Sequence, residues 1–511
     1  MNAQKFGRGQ PHTRLEDPAL LAGLGTYVAD AAARAQALAA LVVRAPHAHA
    51  RFEISGLEDL RARAGVHLVL TAQDIADFGP LPIAANVAVE GEARMWRSHR
   101  PVLADGVARY LGEAVALIVA DTLDLARDAA EAMEIAWDPL DAAVDLEAAT
   151  DPDAPLVWSE RPQNLAFTSV IGDERAAAEA FAAADRVVRI RLVNNRVVTN
   201  YLEPRGVLGE VEEGGRVRLT LGSQGSHLLR NAIADKVLKW PREDLRVVTP
   251  DVGGGFGTKM FPFAEYPLVA FATRRLGRPV AWIGDRSEHF VSDSHGRDNI
   301  THAELALDAD GRFLGMKVDT LANMGAYLAY YGPYIPVGGA SMLPGVYAIP
   351  VLHARIRAVY THTVPVDAYR GAGRPEAAYV IERLVDAAAR ACGLAPEELR
   401  RRNFVAPEAM PYQTATGRQY DSGEFNGHLT RALEVADHAG FPARAAAAAA
   451  RGKLRGLGFA TYIEACGGGA AEPAFLRLES DGGVTVRIGT QSSGQGHKTA
   501  YAHLVAAHLK V

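Results

Sequence analysis

Residues 251–259 read Asp-Val-Gly-Gly-Gly-Phe-Gly-Thr-Lys, with four glycines around one aromatic ring and a lysine two positions after the last of them. Without a Cβ, glycine permits a tight turn and brings backbone N–H groups close to something bulky or anionic. The spacing excludes two familiar phosphate-binding patterns. A P-loop places lysine directly after its last glycine, and here Thr258 comes between Gly257 and Lys259. The dinucleotide fingerprint G-x-G-x-x-G would need glycine at Thr258 if it began at Gly253, or at Met260 if it began at Gly255. Taken alone, the run also fits a plain turn between packed elements. Three more polar, glycine-bearing stretches share its setting: 222–225, 369–376 and 489–497. Each follows a predicted strand, so the four loops together can wrap one large, polar, anionic cofactor. The last enters a helix, whose free N-terminal N–H groups favour an anion.

Metal-ligating side chains are sparse. Cys392 and Cys466 are the only cysteines, too few for an all-cysteine iron–sulfur or zinc site within this chain. Both read as small buried residues, with a lone disulfide as the alternative. His47 and His49 stand two apart beside a short predicted strand, but no third ligand adjoins them, which favours a structural or solvent-facing role.

The elements that must position the loops follow from hydrophobic period and capping residues. A polar arm leads through residues 1–35. Strands are predicted at 41–44, 66–70 and 114–120, with Thr71 starting a short helix near Asp74 and Thr122 capping a helix that runs to about residue 132. A strand from 134 follows, and 151–155 reads as a linker. Next come strands at 187–193, 217–221, 245–248, 280–283, 300–307, 315–321 and 354–359. Helices are predicted at 226–237, with Leu229, Ile233 and Val237 on one face, and at 265–275. The stretch 327–347 is too apolar for an exposed loop and calls for a packing partner. A helix over 377–391 buries Ile381, Leu384, Val385 and Ala388, Pro396 opens another, and 440–451 is an alanine-rich surface helix. A strand at 457–463, a glycine run after Glu464, a hairpin from 475–478 and 484–488, and a helix over 499–509 complete the reading. The fold class is α/β (α+β), with units expected at 1–155, 156–430 and 431–511.

Composition narrows the partners. With 54 basic against 60 acidic residues the net charge is −6, and no basic tract offers a nucleic-acid groove. The opening residues lack the apolar core of a signal peptide, and no apolar run reaches membrane-spanning length. The expectation is a cytoplasmic protein without membrane insertion.

Three phrases carry a resemblance to a known family: 251–259, Ala368-Tyr369-Arg370-Gly371-Ala372-Gly373-Arg374-Pro375-Glu376-Ala377, and Gly494-Gln495-Gly496-His497-Lys498-Thr499. With Glu203-Pro204-Arg205, Arg278-Pro279-Val280 and Asp285-Arg286-Ser287-Glu288, they resemble the large, molybdopterin-binding subunit of the xanthine oxidase family of molybdenum hydroxylases. Residues 109–116, Arg-Tyr-Leu-Gly-Glu-Ala-Val-Ala, resemble that family's N-terminal hammerhead domain. The resemblance runs through nearly the whole chain in the family's order, and implies a hammerhead-like α/β domain followed by mixed-sheet domains that bind the molybdenum cofactor. It also implies a molybdopterin cytosine dinucleotide with molybdenum, and hydroxylation of a carbon with oxygen from water. Carried over, Gln224 sits by the metal, and Gly254, Gly255, Phe256 and Gly257 present backbone to the cofactor. Arg370 lies on the substrate or cofactor side of the metal, Gly371 and Ala372 join it in binding the cofactor, and Gln495 and Gly496 contact the pterin or its phosphate. No side chain ligates the metal directly. Gln224 and Arg370 are the catalytic candidates. A fixed cation lowers the barrier where negative charge grows on the substrate. Arg374 is an alternative source of that cation, or else pairs with Glu376 or Glu382. Lys259 either faces the phosphates or is solvated.

Two departures refine the reading. Copper-containing carbon monoxide dehydrogenases of the family carry a cysteine where this chain has Gly371-Ala372-Gly373, so an N-heterocycle or an aldehyde is the expected substrate class. The small Ala372 leaves room for a ring. The family's basic glutamate lies in a C-terminal Gly-x-Gly-Glu motif that has no counterpart here, and Glu464 stands in the wrong order. That glutamate is expected on a separate C-terminal molybdopterin-binding chain. Two [2Fe-2S] clusters on a small subunit and FAD on a medium subunit would remove the electrons. The rival readings are a truncated or scaffolding homologue without molybdenum, and a flavin or nicotinamide enzyme.

Overall fold

In the computed structural model, residues 9–465 and 472–510 are described. Cys466, the glycines that follow it and the first eight residues of the polar arm lie outside them. Cys392 is a free, half-buried thiol.

The most apolar strand, Ala114–Ala120, is buried at every position. A strand with both faces covered must lie inside a sheet, and its neighbours are Leu38–Arg44 and Val66–Leu70, both antiparallel to it. Leu38–Arg44 then pairs in parallel with Val280–Ile283, through Leu38 opposite Val280 and Ala39 opposite Ala281. Gly206–Val211, Val217–Leu221 and Leu245–Val248 extend the sheet to seven strands. Strands from either side of residue 155 therefore share one sheet. A three-stranded sheet built on Ala50–Ser55 flanks it. Thr122 caps the helix Leu123–Glu131 by accepting the Leu125 N–H.

A second, five-stranded mixed sheet runs in the order Leu165–Gly172, Leu352–Tyr360, Phe313–Gly325, Asn299–Leu307, Arg186–Asn194. Helices Glu174–Ala182 and Arg374–Cys392 pack on it, the latter burying Ile381, Leu384, Val385 and Ala388. The apolar stretch 327–347 finds its partner inside this chain: Tyr327, Leu328, Tyr347 and the helix Tyr334–Ala340 join the core beneath Arg374–Cys392.

Two expectations change. The helix from Ser226 becomes a π-helix at Ala232–Leu238, although Leu229, Ile233 and Val237 are all buried. Residues 457–463 form no strand. They run beside Glu382 instead, whose carboxylate accepts the Thr461 N–H at 2.9 Å, so a side chain takes the place of a ladder partner. The helix His497–Leu509 meets the arm through Thr499, which bonds Leu15 and Glu16, and lines one cavity with the strand Val484–Ile488.

One buried ionic cluster fixes how the first sheet meets the rest. The Arg205 side chain is wholly buried, with Nε 2.7 Å from Asp293 and Nη1 2.7 Å from Glu265. Its guanidinium lies 3.7 Å from the Phe263 ring centroid. Arg44, at the end of its strand, reaches the same Glu265 at 2.7 Å and Glu288 at 2.6 Å. Burial alone would push the Glu265 carboxyl up; Arg205 and Arg44 outweigh it and bring the pKa from 4.5 to about 2. A second tie joins Glu113 to Tyr327 at 2.6 Å, and Gly112 approaches Val291 so closely that a Cβ would stand 2.3 Å from its carbonyl oxygen.

Arg205→Met should cost about 3–5 kcal/mol, because it strands Glu265 and Asp293 without their cation. Urea denaturation measures this. A depressed carboxylate stabilises the fold above its unfolded pKa, so the Glu265 contribution is full above about 4.5 and fades as pH falls towards 2. Glu265→Gln should flatten that part of the acid-stability profile.

Candidate functional site

Gln224 stands in the turn after Val217–Leu221. Its Oε1 accepts the Gly257 N–H at 2.8 Å, and its own N–H donates to the Lys259 carbonyl at 3.0 Å. A Cβ at Gly255 would lie 2.5 Å from Gln224 Oε1, so only glycine lets the amide rest on the loop. This geometry leaves Gln224 Nε2 without a hydrogen bond to any described residue.

Phe256 takes a left-handed backbone, φ 48°, and its ring is 43% exposed. Its carbonyl accepts the Arg370 N–H at 2.9 Å. The Arg370 guanidinium sits 5.7 Å from the Phe256 ring centroid and forms no ion pair with a described residue. Gly257, φ 106°, packs so tightly on the next turn that a Cβ would stand 2.8 Å from the Ala368 oxygen. Gly371 (φ 97°) and Ala372 (φ 48°) carry the turn onward, with the Ala372 N–H returning to the Tyr369 carbonyl at 2.7 Å. The loops at 222–225, 253–259 and 369–376 thus form one hydrogen-bonded cluster holding Gln224, Gly254, Gly255, Phe256, Gly257, Arg370, Gly371 and Ala372.

The fourth loop joins through a residue that the sequence does not single out. Gln491 Nε2 donates to the Ser223 carbonyl at 2.5 Å, and its Oε1 accepts from Ser223 Oγ at 3.1 Å. Gln495 turns back on its own loop to accept the Ser493 N–H. Gly496, φ 77°, packs on Arg14. The helix start beside them already holds an anion from the chain itself. Glu16 accepts the Lys498 N–H at 2.9 Å and the Thr499 hydroxyl at 2.6 Å.

Two sequence expectations are corrected here. Lys259 is neither solvated nor turned to a phosphate. Its side chain is fully buried, Nζ lies 2.7 Å from the Glu203 carbonyl and 2.9 Å from Glu203 Oε2, and it rests 4.5 Å from the Tyr201 ring centroid. Burial pulls its pKa down and Glu203 only partly opposes this. The other Glu203 contact, Oε2 to the Gly253 N–H at 2.7 Å, makes the pair a brace for the glycine run. Arg374 pairs with Glu464 at 2.9 Å rather than with Glu376 or Glu382, which are held by Arg297 and Arg400. Away from this cluster, His49 stacks on His362 with ring centroids 4.0 Å apart. Among the described residues no group of histidine, cysteine and carboxylate side chains is arranged to hold a metal, and no helix is long and apolar enough to cross a membrane.

Comparison with known proteins agrees with this architecture. Residues 22–141 match the α/β hammerhead domain of aldehyde oxidase and xanthine dehydrogenase, and residues 157–404 and 431–511 match two molybdopterin cofactor-binding domains. The chain is 33% identical to the 6-hydroxypseudooxynicotine dehydrogenase complex subunit gamma of Paenarthrobacter nicotinovorans, over 98% of this chain and 63% of that protein. It is 32% identical to the carbon monoxide dehydrogenase large chain of Hydrogenophaga pseudoflava, over 97% and 64% respectively. The crystal structure of quinoline 2-oxidoreductase from Pseudomonas putida 86 superimposes with a TM-score of 0.91 at 34% identity, covering 99% of this chain and 65% of that one. The chain thus spans less than two thirds of the length of these relatives. A hammerhead unit joined to molybdopterin-binding domains defines a molybdopterin-binding subunit. The chain belongs to the xanthine oxidase family.

Gly257→Ala should cost about 1–3 kcal/mol, from a left-handed backbone and the clash with Ala368. The urea midpoint measures the loss. Gly277→Ala, also at positive φ but with nothing near its Cβ position, should cost clearly less.

Proposed function

We propose that this chain is the molybdenum-cofactor-binding subunit of a hydroxylase that oxidises a carbon of an N-heterocycle or an aldehyde, with water as oxygen donor. The observation that carries the reading is the convergence of an amide donor, Gln224 Nε2, and a cation, Arg370, neither with a hydrogen-bond or ion-pair partner among the described residues, on touching glycine turns beside the exposed Phe256 ring. Donors and a cation that the fold leaves uncommitted fit a polar, anionic cofactor better than a plain turn, where the chain would satisfy them itself. Gln224 and the backbone of residues 254–257, with that of Gly371 and Ala372, would hold the pterin end. Gln495 and Gly496 would approach the pterin or its phosphate, where Glu16 now shows the preference of that helix start for an anion. When bound, the cofactor supplies the two-electron acceptor for the substrate carbon. Arg370 would stabilise the negative charge that grows on the substrate as oxygen is added.

A general base must lie within hydrogen-bond reach of the attacking water. Glu203, Glu376 and Glu464 are committed to Lys259, Arg297 and Arg374. Asp367, just before the 368–376 turn, is buried and accepts the Ala368 and Tyr331 N–H groups, and Asp251 accepts the Thr26 N–H. In this reading the base comes from protein corresponding to the part of the relatives that this chain does not span. Small and medium subunits with two [2Fe-2S] clusters and FAD carry the electrons away. The relatives' own names, which speak of subunits and a large chain, support a multi-subunit enzyme. Residues 370–373 are Arg-Gly-Ala-Gly, without the cysteine of the copper-dependent route, so carbon monoxide is not the substrate proposed.

The test is to purify the native complex through a tag on this chain and measure molybdenum, iron and flavin. The expected result is molybdenum stoichiometric with this chain, and substrate hydroxylation that takes its oxygen from isotopically labelled water. Arg370→Ala and Gln224→Ala should each lower kcat about a hundredfold or more. A fully assembled complex without molybdenum would establish the scaffolding alternative instead.

A further inference from the structure

Arg297 belongs to no phrase that identifies the family, yet its side chain reaches the turn that carries Arg370. Nη2 donates to the Arg370 carbonyl at 2.7 Å and Nη1 to the Tyr369 carbonyl at 3.3 Å. Nη1 also lies 3.1 Å from Glu376, in the first turn of the helix Arg374–Cys392. The guanidinium sits 4.9 Å from the Tyr369 ring centroid. One planar fork therefore grips two successive carbonyls and ties them to the helix that follows.

The backbone beneath that fork is strained. Arg297 and Asp298 are consecutive non-glycine residues in the left-handed region, φ 64° and 70°. Such a conformation costs energy and persists only where its surroundings over-determine it. Here they do. Asp298 is held by Arg196 at 2.7 Å and by Asn323 at 2.9 Å, and Gly296 lies so near Tyr369 that a Cβ would stand 2.6 Å from the tyrosine Cβ. Phe256 and Ala372, in the turns on either side of Arg370, are left-handed as well. A fold that merely needed to close this loop would not require an arginine held in such a pose.

We infer that Arg297 is a positioning residue: it fixes the Tyr369–Ala372 turn and thereby aims the Arg370 guanidinium at the substrate side of the cluster. The kinetic part of this inference rests on the functional reading above; the structural part does not. Lysine cannot replace the fork, because the three donors of an ammonium radiate from one atom and lack the planar, spaced pair that a guanidinium presents.

The test uses Arg297→Gln and Arg297→Lys in the purified complex. The first readout is hydrogen–deuterium exchange, independent of cofactor loading. Losing two loop hydrogen bonds from a charged donor corresponds to at least about a tenfold rise in local opening, so peptides covering 369–373 should exchange faster while those covering 114–120 stay unchanged. Arg297→Lys should fall between wild type and Arg297→Gln. The second readout is kinetic. Arg297→Gln should lower kcat about ten- to a hundredfold and leave KM nearly unchanged. In an Arg370→Ala background the same substitution should add little, since the two act as one unit. Unchanged exchange at 369–373 in Arg297→Gln overturns the inference. So does a loss of kcat that is fully additive with Arg370→Ala. If the wild-type complex holds no molybdenum, the functional reading fails and the exchange experiment alone decides the role of Arg297.

Discussion

The Arg205 guanidinium has no access to water, and everything around it is arranged to make that tolerable. A buried cation without partners is prohibitively costly, so Asp293 and Glu265 must stand beside it, and Phe263 and Trp282 must supply ring faces. Each partner belongs to a different element. Glu265 opens one helix, Asp293 follows another, and Glu265 is shared with Arg44 from the N-terminal sheet. Such a cluster is weak evidence for stability, because hydrophobic packing can do as well. What it does impose is registry: one arrangement of three segments satisfies every charge, and displaced arrangements leave one bare.

That registry is transmitted towards the candidate site by polar contacts. Asp293 accepts the Tyr201 hydroxyl, the Tyr201 ring lies against the Lys259 ammonium, and Lys259 is held by Glu203, which also accepts the Gly253 N–H. The glycine run is thus set from below by a charge pair rather than by its own flexibility. From above it is met by the 369–376 turn, which Arg297 holds in place. Between these two anchors the Gln224 amide N–H and the Arg370 guanidinium have no hydrogen-bond or ion-pair partner among the described residues. Their idleness within the chain makes them the functional candidates, whereas Lys259, a cation of equal charge, is spent on structure.

Much of this was legible in residue order. The strands at 66–70, 217–221, 245–248 and 280–283 and the buried face of Arg374–Cys392 follow from period and apolar content, which are local properties. The four glycine loops were visible as departures from those periods. Their contacts were not, because each depends on residues far apart in the chain: Gln224 with Gly257, Phe256 with Arg370, Ser223 with Gln491. The strand expected at 457–463 failed for the same reason. Alternating apolar residues favour an extended chain, but a strand also needs a ladder partner, and Glu382 took that role.

The sequence by itself determined the classes of most elements, the places where glycine was needed and, through its phrases, the family. It did so because hydrophobic period, capping residues and the absence of a Cβ act over a few positions. Only the tertiary structure decided which cations were committed. Lys259, Arg205, Arg297 and Arg374 look as available as Arg370 when read in a line. Burial and partner geometry separate them, since a charge removed from water must find its counter-charge in space, and the order of residues does not say where that lies.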